Sequence, residues 1–344
     1  MGLFGDSNII AVQIGSHSLK VVKLKSGTGT PVLSAAFSTK MPEGIAERAD
    51  VATFIKDALK AHKVQGSIAA TTLSGHELVS RQLSLPVMPE KDLREAVIWE
   101  MRKETGIPVE ELVTDFMVSS AASTDDNKIS VAAFATRSSE SLSIISTFKD
   151  AGLDLKLLSV EPAALLTVFD HNNKWDKDVN YAMLAIGDKS STLVIAKERK
   201  ILFTREITFG GDDITRSIAA GLHIDSTAAE EYKMRWGLDV PGEDAETVGL
   251  AMRSLVERLC IEIHRSIDYF QAQFRGGAVP SLFLAGGSSL LNGIDDFISE
   301  TIGIACFSHD PFKKIKIPTS MDKEAVLALG PSLNIATGLA LSRY

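Results

Sequence analysis

Three glycine turns carry most of the chemistry this sequence can offer. Gly15 closes the apolar run of "NIIAVQIG", Gly187 closes that of "NYAMLAIG", and Gly286-Gly287 closes "PSLFLAGG". A glycine at the end of a strand lets backbone N–H groups approach an oxyanion closely, because no Cβ stands in the way. The first two turns share an order of parts. In each, an apolar run ends in Ile-Gly (Ile14-Gly15 and Ile186-Gly187), passes through a short polar turn, and resumes as a second apolar run. One such turn is an ordinary tight hairpin. Three in this order, two of them in a duplicated hairpin, point to phosphate binding.

The elements that must position these turns follow from the rest of the chain. At 344 residues and 45% hydrophobic, it is long enough for two or more domains with large cores. The formal charge of −8 and the lack of any dense Lys/Arg cluster argue against a nucleic-acid partner, and "KKIK" at Lys313 is too short to alter that. No stretch approaches the ~20 apolar residues of a membrane-spanning helix. The start "MGLFGDSN" is not a signal peptide, and Asp6 stands where a myristoylation motif needs Ser or Thr. A cytoplasmic location without direct membrane insertion is expected. Cys260 and Cys306 read as buried free thiols, His223 and His264 as ordinary helix residues, and nothing has the spacing of a zinc site.

Along the chain, the first hairpin leads into a strand at Val32 to Thr39, an amphipathic helix at Val51 to His62 and a strand at Ser67 to Leu73. "LPVMP" then breaks the pattern. "EKDLREAVIWEMRKETG" predicts a helix with Glu90 and Asp92 near its start and Gly106 at its end. Strands follow at "ELVTDFMVSSA" and "ISVAAFAT", joined by the polar tip "STDDNK", and then a helix from Ser138 to Ala151. The second hairpin opens another unit. In it "KILFTREITFGGDDITRSIAAGL" is strand, turn and helix, and Leu255, Leu259, Ile263, Ile267, Phe270 and Phe274 form one face of a long helix. A strand, the Gly-Gly turn, a helix and a last helix at "NIATGLALSRY" complete the chain.

This arrangement resembles the actin, Hsp70 and hexokinase superfamily, an α/β, ribonuclease H-like fold of two similar halves enclosing a nucleotide. The resemblance implies ATP or ADP as ligand. It implies that Gly15, Ser16, His17 and Ser18 form the first phosphate loop, with Lys20 the phosphate-facing lysine, and that Gly187, Asp188, Ser190, Ser191 and Thr192 form the second. Glu161 in "EPAALL" matches the carboxylate that holds a magnesium-bound water. Gly211, Glu230 and Lys233 fall in the segments that flank the adenosine, and Gly286, Gly287 and Ser288 form the turn beneath base and ribose. Within the superfamily, "LPVMPEKDLREAVIWEMRKETGIPVEELVTDFMV", the opening "MGLFG", "DPFKKI" and "NIATGLAL" resemble the PilM family of type IV pilus assembly, a relative of FtsA. That resemblance implies a partner, the N-terminal cytoplasmic tail of a PilN-like inner-membrane protein. It divides the chain into a first half (1–84, 157–178 and 331–344), an inserted subdomain (85–156), a second half (179–224 and 280–330) and a helical subdomain (225–279).

The sequence departs from the superfamily at two places. Where active members carry an aspartate at the head of each phosphate loop, this chain has Gln13 and Ala185. Two carboxylates are lost from the metal site, and at an effective dielectric near 20 each would interact with a unit charge about 4 Å away by roughly 4 kcal/mol before desolvation. Mg²⁺ binding and turnover are therefore expected to be weak. Glu161 and Asp188 remain as catalytic and metal candidates. Asp188 also reads as an exposed turn residue, and Glu161 as a helix N-terminal acid beside Pro162. The leading expectation is a nucleotide-binding scaffold of pilus assembly, with an active ATPase, a sugar or metabolite kinase and FtsA-like self-association as alternatives. The chain stops at "LSRY" without an amphipathic tail, which implies recruitment to the membrane by a partner.

Overall fold

The computed structural model describes residues 9–25, 29–42, 44–45, 47–73, 75, 78–120, 127–240, 242, 248–273 and 277–342. The "MGLFG" start, Phe274 and most of the polar tip after residue 120 lie outside the described residues.

The duplicated hairpin organises the molecule. β1 (Ile10–Ile14) pairs antiparallel with β2 (Ser18–Lys25), which pairs with β3 (Val32–Lys40). Helix α1 (Arg48–Ala61) returns the chain to β4 (Ile68–Leu73), parallel to β1. β8 (Asp154–Val160) then adds beside β4. The second half repeats the plan with β9 (Tyr181–Ile186), β10 (Ser191–Lys197), β11 (Lys200–Ile207), β12 (Ser281–Ala285) and β13 (Ala305–Ser308). The strand orders, β3-β2-β1-β4-β8 and β11-β10-β9-β12-β13, are the same five-strand pattern.

Both hairpins read as nearly unbroken apolar runs because each sheet is covered on both faces. Ile10 and Val12 pack on α1 residues Ile55 and Leu59 and on Phe148, whereas Ile9 and Ala11 alternate to the opposite face. There they share a core with α4 (Glu161–Asn172) and α10 (Asn334–Leu341). In the second sheet Ala182, Leu184 and Ile186 face α5 (Gly211–Leu222) and α7 (Leu250–Gln273), and Met183 and Ala185 face the α4/α10 core. The pair α4 and α10 thus lies between the sheets and belongs to the core of both halves. Asn334 through Ala340 are all buried. The run Lys323–Leu341 is long and apolar enough on composition to cross a membrane, with a mean hydropathy of 1.3, but 61% of it is buried here. It is α9 (Lys323–Leu329), a 3-10 turn and α10, and its apolar character is accounted for by the core they fill.

The inserted unit is a sheet of order β5-β7-β6, with β5 (Val79–Pro86), β6 (Leu112–Ser120) and β7 (Lys128–Arg137), covered by α2 (Glu90–Thr105). Gly106 ends α2 in the left-handed region at φ 67°. The boundary placed at residue 85 falls inside β5, whose eight residues all pair with β7. The other boundary, at 156, falls inside β8, and α3 (Ser138–Asp150) sends Phe148 into the first-half core. Along α7, Leu259, Ile263, Ile267 and Phe270 are buried and Leu255 is half-buried. His223 is not inside a helix but ends α5 in the left-handed region at φ 54°.

Candidate functional site

The two hairpin tips face one another across the space above α4. Their turns are closed alike: Gly15 N–H donates to the Ser18 carbonyl at 3.1 Å and Gly187 N–H to the Ser190 carbonyl at 3.0 Å. Register makes Lys20 the partner of Gln13 and Thr192 the partner of Ala185. Ser16 and Asp188 occupy the same place, one past the glycine, and the Ser16 hydroxyl donates to Asp188 Oδ2 at 2.7 Å across the gap.

The third turn locks onto the second. Gly286 has φ 90°, and a Cβ there would lie 2.3 Å from the Ile186 carbonyl oxygen, so only glycine lets the two strands' ends pack this closely. Ser288 Oγ donates to the Gly187 carbonyl at 2.7 Å. The start of α5 is tied to the same loop, with Gly211 N–H on the Gly187 carbonyl and Asp212 N–H on the Asp188 carbonyl at 3.0 and 2.8 Å. A Cβ on Gly287 would meet only Lys20 Nζ, at 3.9 Å, so this backbone opens directly onto the lysine.

Lys20 is buried, yet its ammonium donates to no described residue. Burial pushes its pKa down, against the opposing pull of Glu161 and Asp188. Glu161 stands at the first turn of α4, followed by Pro162. Its Oε2 accepts from Thr192 Oγ1 at 2.9 Å and its Oε1 from Gln13 Nε2 at 3.4 Å. Burial raises its pKa, and the Thr192 hydrogen bond and the Lys20 charge offset this only in part. The other amide atom of Gln13, Oε1, is buried without a hydrogen-bond partner.

These groups line a cavity of about 380 Å³. A second, of about 260 Å³, continues from Lys20 to Gly211, Glu230, Lys233, Met234 and Leu291, and a third, of about 540 Å³, lies at the mouth. In the second, α6 (Ser226–Trp236) presents Glu230 and Lys233. Lys233 Nζ is held by the Gly211 carbonyl at 3.1 Å, Thr215 Oγ1 at 2.9 Å and Glu230 Oε2 at 2.6 Å. Burial pushes the Glu230 carboxyl up, but Lys233 and Thr215 outweigh it and leave its pKa below the ordinary range.

Of the residues singled out from sequence, Gly15, Ser16, His17, Ser18, Lys20, Glu161, Gly187, Asp188, Ser190, Thr192, Gly211, Glu230, Lys233, Gly286, Gly287 and Ser288 all line this continuous space. Ser191 does not. It is fully buried, and its hydroxyl donates to the Phe209 carbonyl at 2.7 Å, on the other face of β10. Sequence reasoning passed over Thr204, Glu206 and Thr208, which line the first cavity from β11 and just beyond it. Their signal is the alternation in "FTREITF", where Phe203, Ile207 and Phe209 are buried. No cluster of three or more His, Cys, Asp or Glu donors occurs among the described residues. Gln13 and Ala185 stand near the ends of their strands, and the carboxylates that line the first cavity are Glu161, Asp188 and Glu206.

Two sheets of one topology, clasping a cleft floored by paired glycine turns, define an actin-like fold. Solved structures of this fold agree. They include the ethanolamine utilization protein EutJ from Carboxydothermus hydrogenoformans (14% identity, TM-score 0.56, covering 97% of this chain and 89% of that one). They also include MreB 5 of Spiroplasma citri bound to AMPPNP (12% identity, TM-score 0.52, covering 96% and 94%). The family model described as type IV pilus assembly protein PilM matches residues 11–344, and the chain belongs to that family. A solved PilM-PilN type IV pilus biogenesis complex is similar at 28% identity and TM-score 0.86, covering 97% of this chain and 98% of that one. Among curated proteins, EutJ of Escherichia coli (strain K12) is 24% identical over 150 residues, which is 44% of this chain and 46% of that protein. The chain therefore matches about half the length of that relative.

Proposed function

We propose that this chain binds ADP or ATP in the cleft and acts as a cytoplasmic scaffold of type IV pilus assembly. In this reading the N-terminal cytoplasmic tail of a PilN-like inner-membrane protein holds it at the membrane, and it hydrolyses nucleotide slowly or not at all. The observation that carries the nucleotide half is Lys20, a largely buried lysine that lines the cavity beside two matching glycine turns and whose ammonium donates to no described residue. Desolvating a cation is costly, and a phosphate group is the ligand that would offset it together with the backbone N–H groups of the turns. The bound nucleotide in the MreB 5 structure supports this choice. Ser16, Lys20 and Gly287 would hold phosphate, and Glu230 and Ser288 the nucleoside. Slow turnover follows from Gln13 and Ala185. Glu161 is engaged by Thr192 and Gln13, and any Mg²⁺ would reach Glu161 and Asp188 through water.

The partner half rests on family membership and on the similar PilM-PilN complex. The inserted unit offers the surface: β6 is an edge strand with Val113 and Val118 exposed, and α3, which packs against β6 and β7, exposes Leu142 and Ile145. An extended tail would gain main-chain hydrogen bonds from a strand edge and specificity from side-chain pockets. The test uses the full chain, because removing 85–156 would strip Phe148 from the first-half core. Fluorescence anisotropy with the labelled tail peptide should show affinity falling at least about tenfold, roughly 1.4 kcal/mol, in Val113→Lys, Val118→Lys, Leu142→Glu or Ile145→Glu at unchanged melting temperature. Unchanged affinity in all four variants would remove the insertion as the docking surface.

A further inference from the structure

The two hairpins differ chemically at their shared tip position: Ser16 is neutral and Asp188 is a carboxylate. That carboxylate is held in place from two sides. Its hydroxyl donor, Ser16, comes from the opposite half at 2.7 Å. Its backbone carbonyl is fixed by Asp212 N–H at the start of α5, and Gly210 packs so tightly against it that a Cβ on Gly210 would lie 2.1 Å from the Asp188 oxygen. Asp188 therefore cannot retreat by a simple shift of its loop. It lines all three cavities, takes the Ser16 hydroxyl that a phosphate would use, and shares the field of Lys20 with Glu161.

Resting on the reading of the cleft as a nucleotide site, we infer that Asp188 is a specificity-determining residue that selects nucleoside diphosphate over metal-free nucleoside triphosphate. A third phosphate extends charge toward the Ser16–Asp188 bridge. Lys20 already faces two carboxylates, and the other lysines lining the first and third cavities, Lys40 and Lys189, are exposed and screened by solvent, so the added anion meets the Asp188 carboxylate and competes for Ser16. A diphosphate seated deeper, between Lys20 and the Gly286-Gly287 turn, avoids most of that conflict. In this role Asp188 is neither a metal ligand nor a base. It is a fixed negative group that penalises the longer phosphate chain, and it couples the opening of the Ser16–Asp188 bridge to the charge of the ligand.

The experiment is calorimetric titration of the full chain with ADP and with ATP, both in EDTA, for wild type and Asp188→Asn. Asparagine keeps an acceptor for Ser16 and the side-chain volume, and an unchanged melting temperature verifies that. The expected result is ADP favoured over ATP in wild type, with Asp188→Asn raising ATP affinity about tenfold or more and changing ADP affinity less. Binding of ATP by the variant alone, with none by wild type, supports the same conclusion. ADP binding in both proteins with an unchanged ADP-to-ATP ratio overturns the role of Asp188 and leaves the nucleotide site standing. Absence of binding in both proteins at millimolar nucleotide overturns the site, and the role of Asp188 with it.

Discussion

Gly338 in α10 sits against the backbone of α4, and its replacement by alanine sets two opposing effects against each other. In an isolated helix, Gly→Ala stabilises by about 1 kcal/mol. Here the new Cβ would lie 1.9 Å from the Ala164 carbonyl oxygen and 2.6 Å from its carbon, both backbone atoms. The pair must separate until that contact reaches at least 3.0 Å, at a place where Leu165, Leu166, Phe169, Ile335 and Leu339 are all buried. Overpacking of this kind costs roughly 1–3 kcal/mol and sometimes more, and a close-packed core transmits the shift. The steric effect should win, leaving a net loss of about 2 kcal/mol. With an unfolding entropy of about 2.1 cal/mol/K per residue, that corresponds to a fall of roughly 3 °C in melting temperature. Gly221→Ala in α5 is the control, since its Cβ would meet only Val248 Cγ2, at 3.6 Å. It should stabilise by roughly 0.5–1 kcal/mol. Scanning calorimetry of both variants checks the signs, and a Gly338→Ala protein as stable as wild type would refute the packing argument. Because α4 carries Glu161 and α10 carries Ile335 into the cleft, the same variant should also lose nucleotide affinity.

Three further outcomes are expected. Burial raises the Glu161 pKa above its unfolded value, so the stability this group contributes is complete below the ordinary carboxylate range and is lost as pH rises through the folded pKa. Glu161→Gln should therefore melt higher than wild type near pH 8, with the difference shrinking toward pH 4; a pH-independent difference would contradict the assignment. Gln13→Asp with Ala185→Asp should increase the Mg²⁺ dependence of nucleotide affinity by more than the sum of the single changes, and purely additive effects would mean the two positions do not address one ion. Lys20→Ala should weaken ADP binding by about 1.5–3 kcal/mol, the range of a hydrogen bond to a charged group, and a variant that binds as wild type does would remove Lys20 from the phosphate site.

The parts of this site that were legible in the sequence are those written locally. Glycines after apolar runs mark Gly15, Gly187 and Gly286, since close backbone approach leaves no room for a side chain. The repeated hairpin announced two halves before any pairing was known. Strand parity was legible too, but a loop motif treats neighbours alike and hides it: β10 turns Thr192 toward Glu161 and Ser191 toward Phe209. The start of the insertion was not legible because β5 is defined by its pairing with β7, where Val79 meets Ala135, and "LPVMP" marks a local break instead of a boundary. Nor could any local pattern bring Ser16 to Asp188, which are 172 residues apart and meet only once both halves have folded around α4 and α10.

Under the proposed function, the cleft holds nucleotide without depending on a protein-bound metal and turns it over slowly. Calorimetric titration of the wild-type chain with ADP, in Mg²⁺ and in EDTA, combined with phosphate release from ATP over the same range, tests it most directly. Saturable ADP binding is expected under both conditions, with affinities within about tenfold, together with phosphate release far below the 1–100 s⁻¹ of kinases. Binding seen only with Mg²⁺ together with rapid phosphate release, or no binding at millimolar ADP, would contradict it.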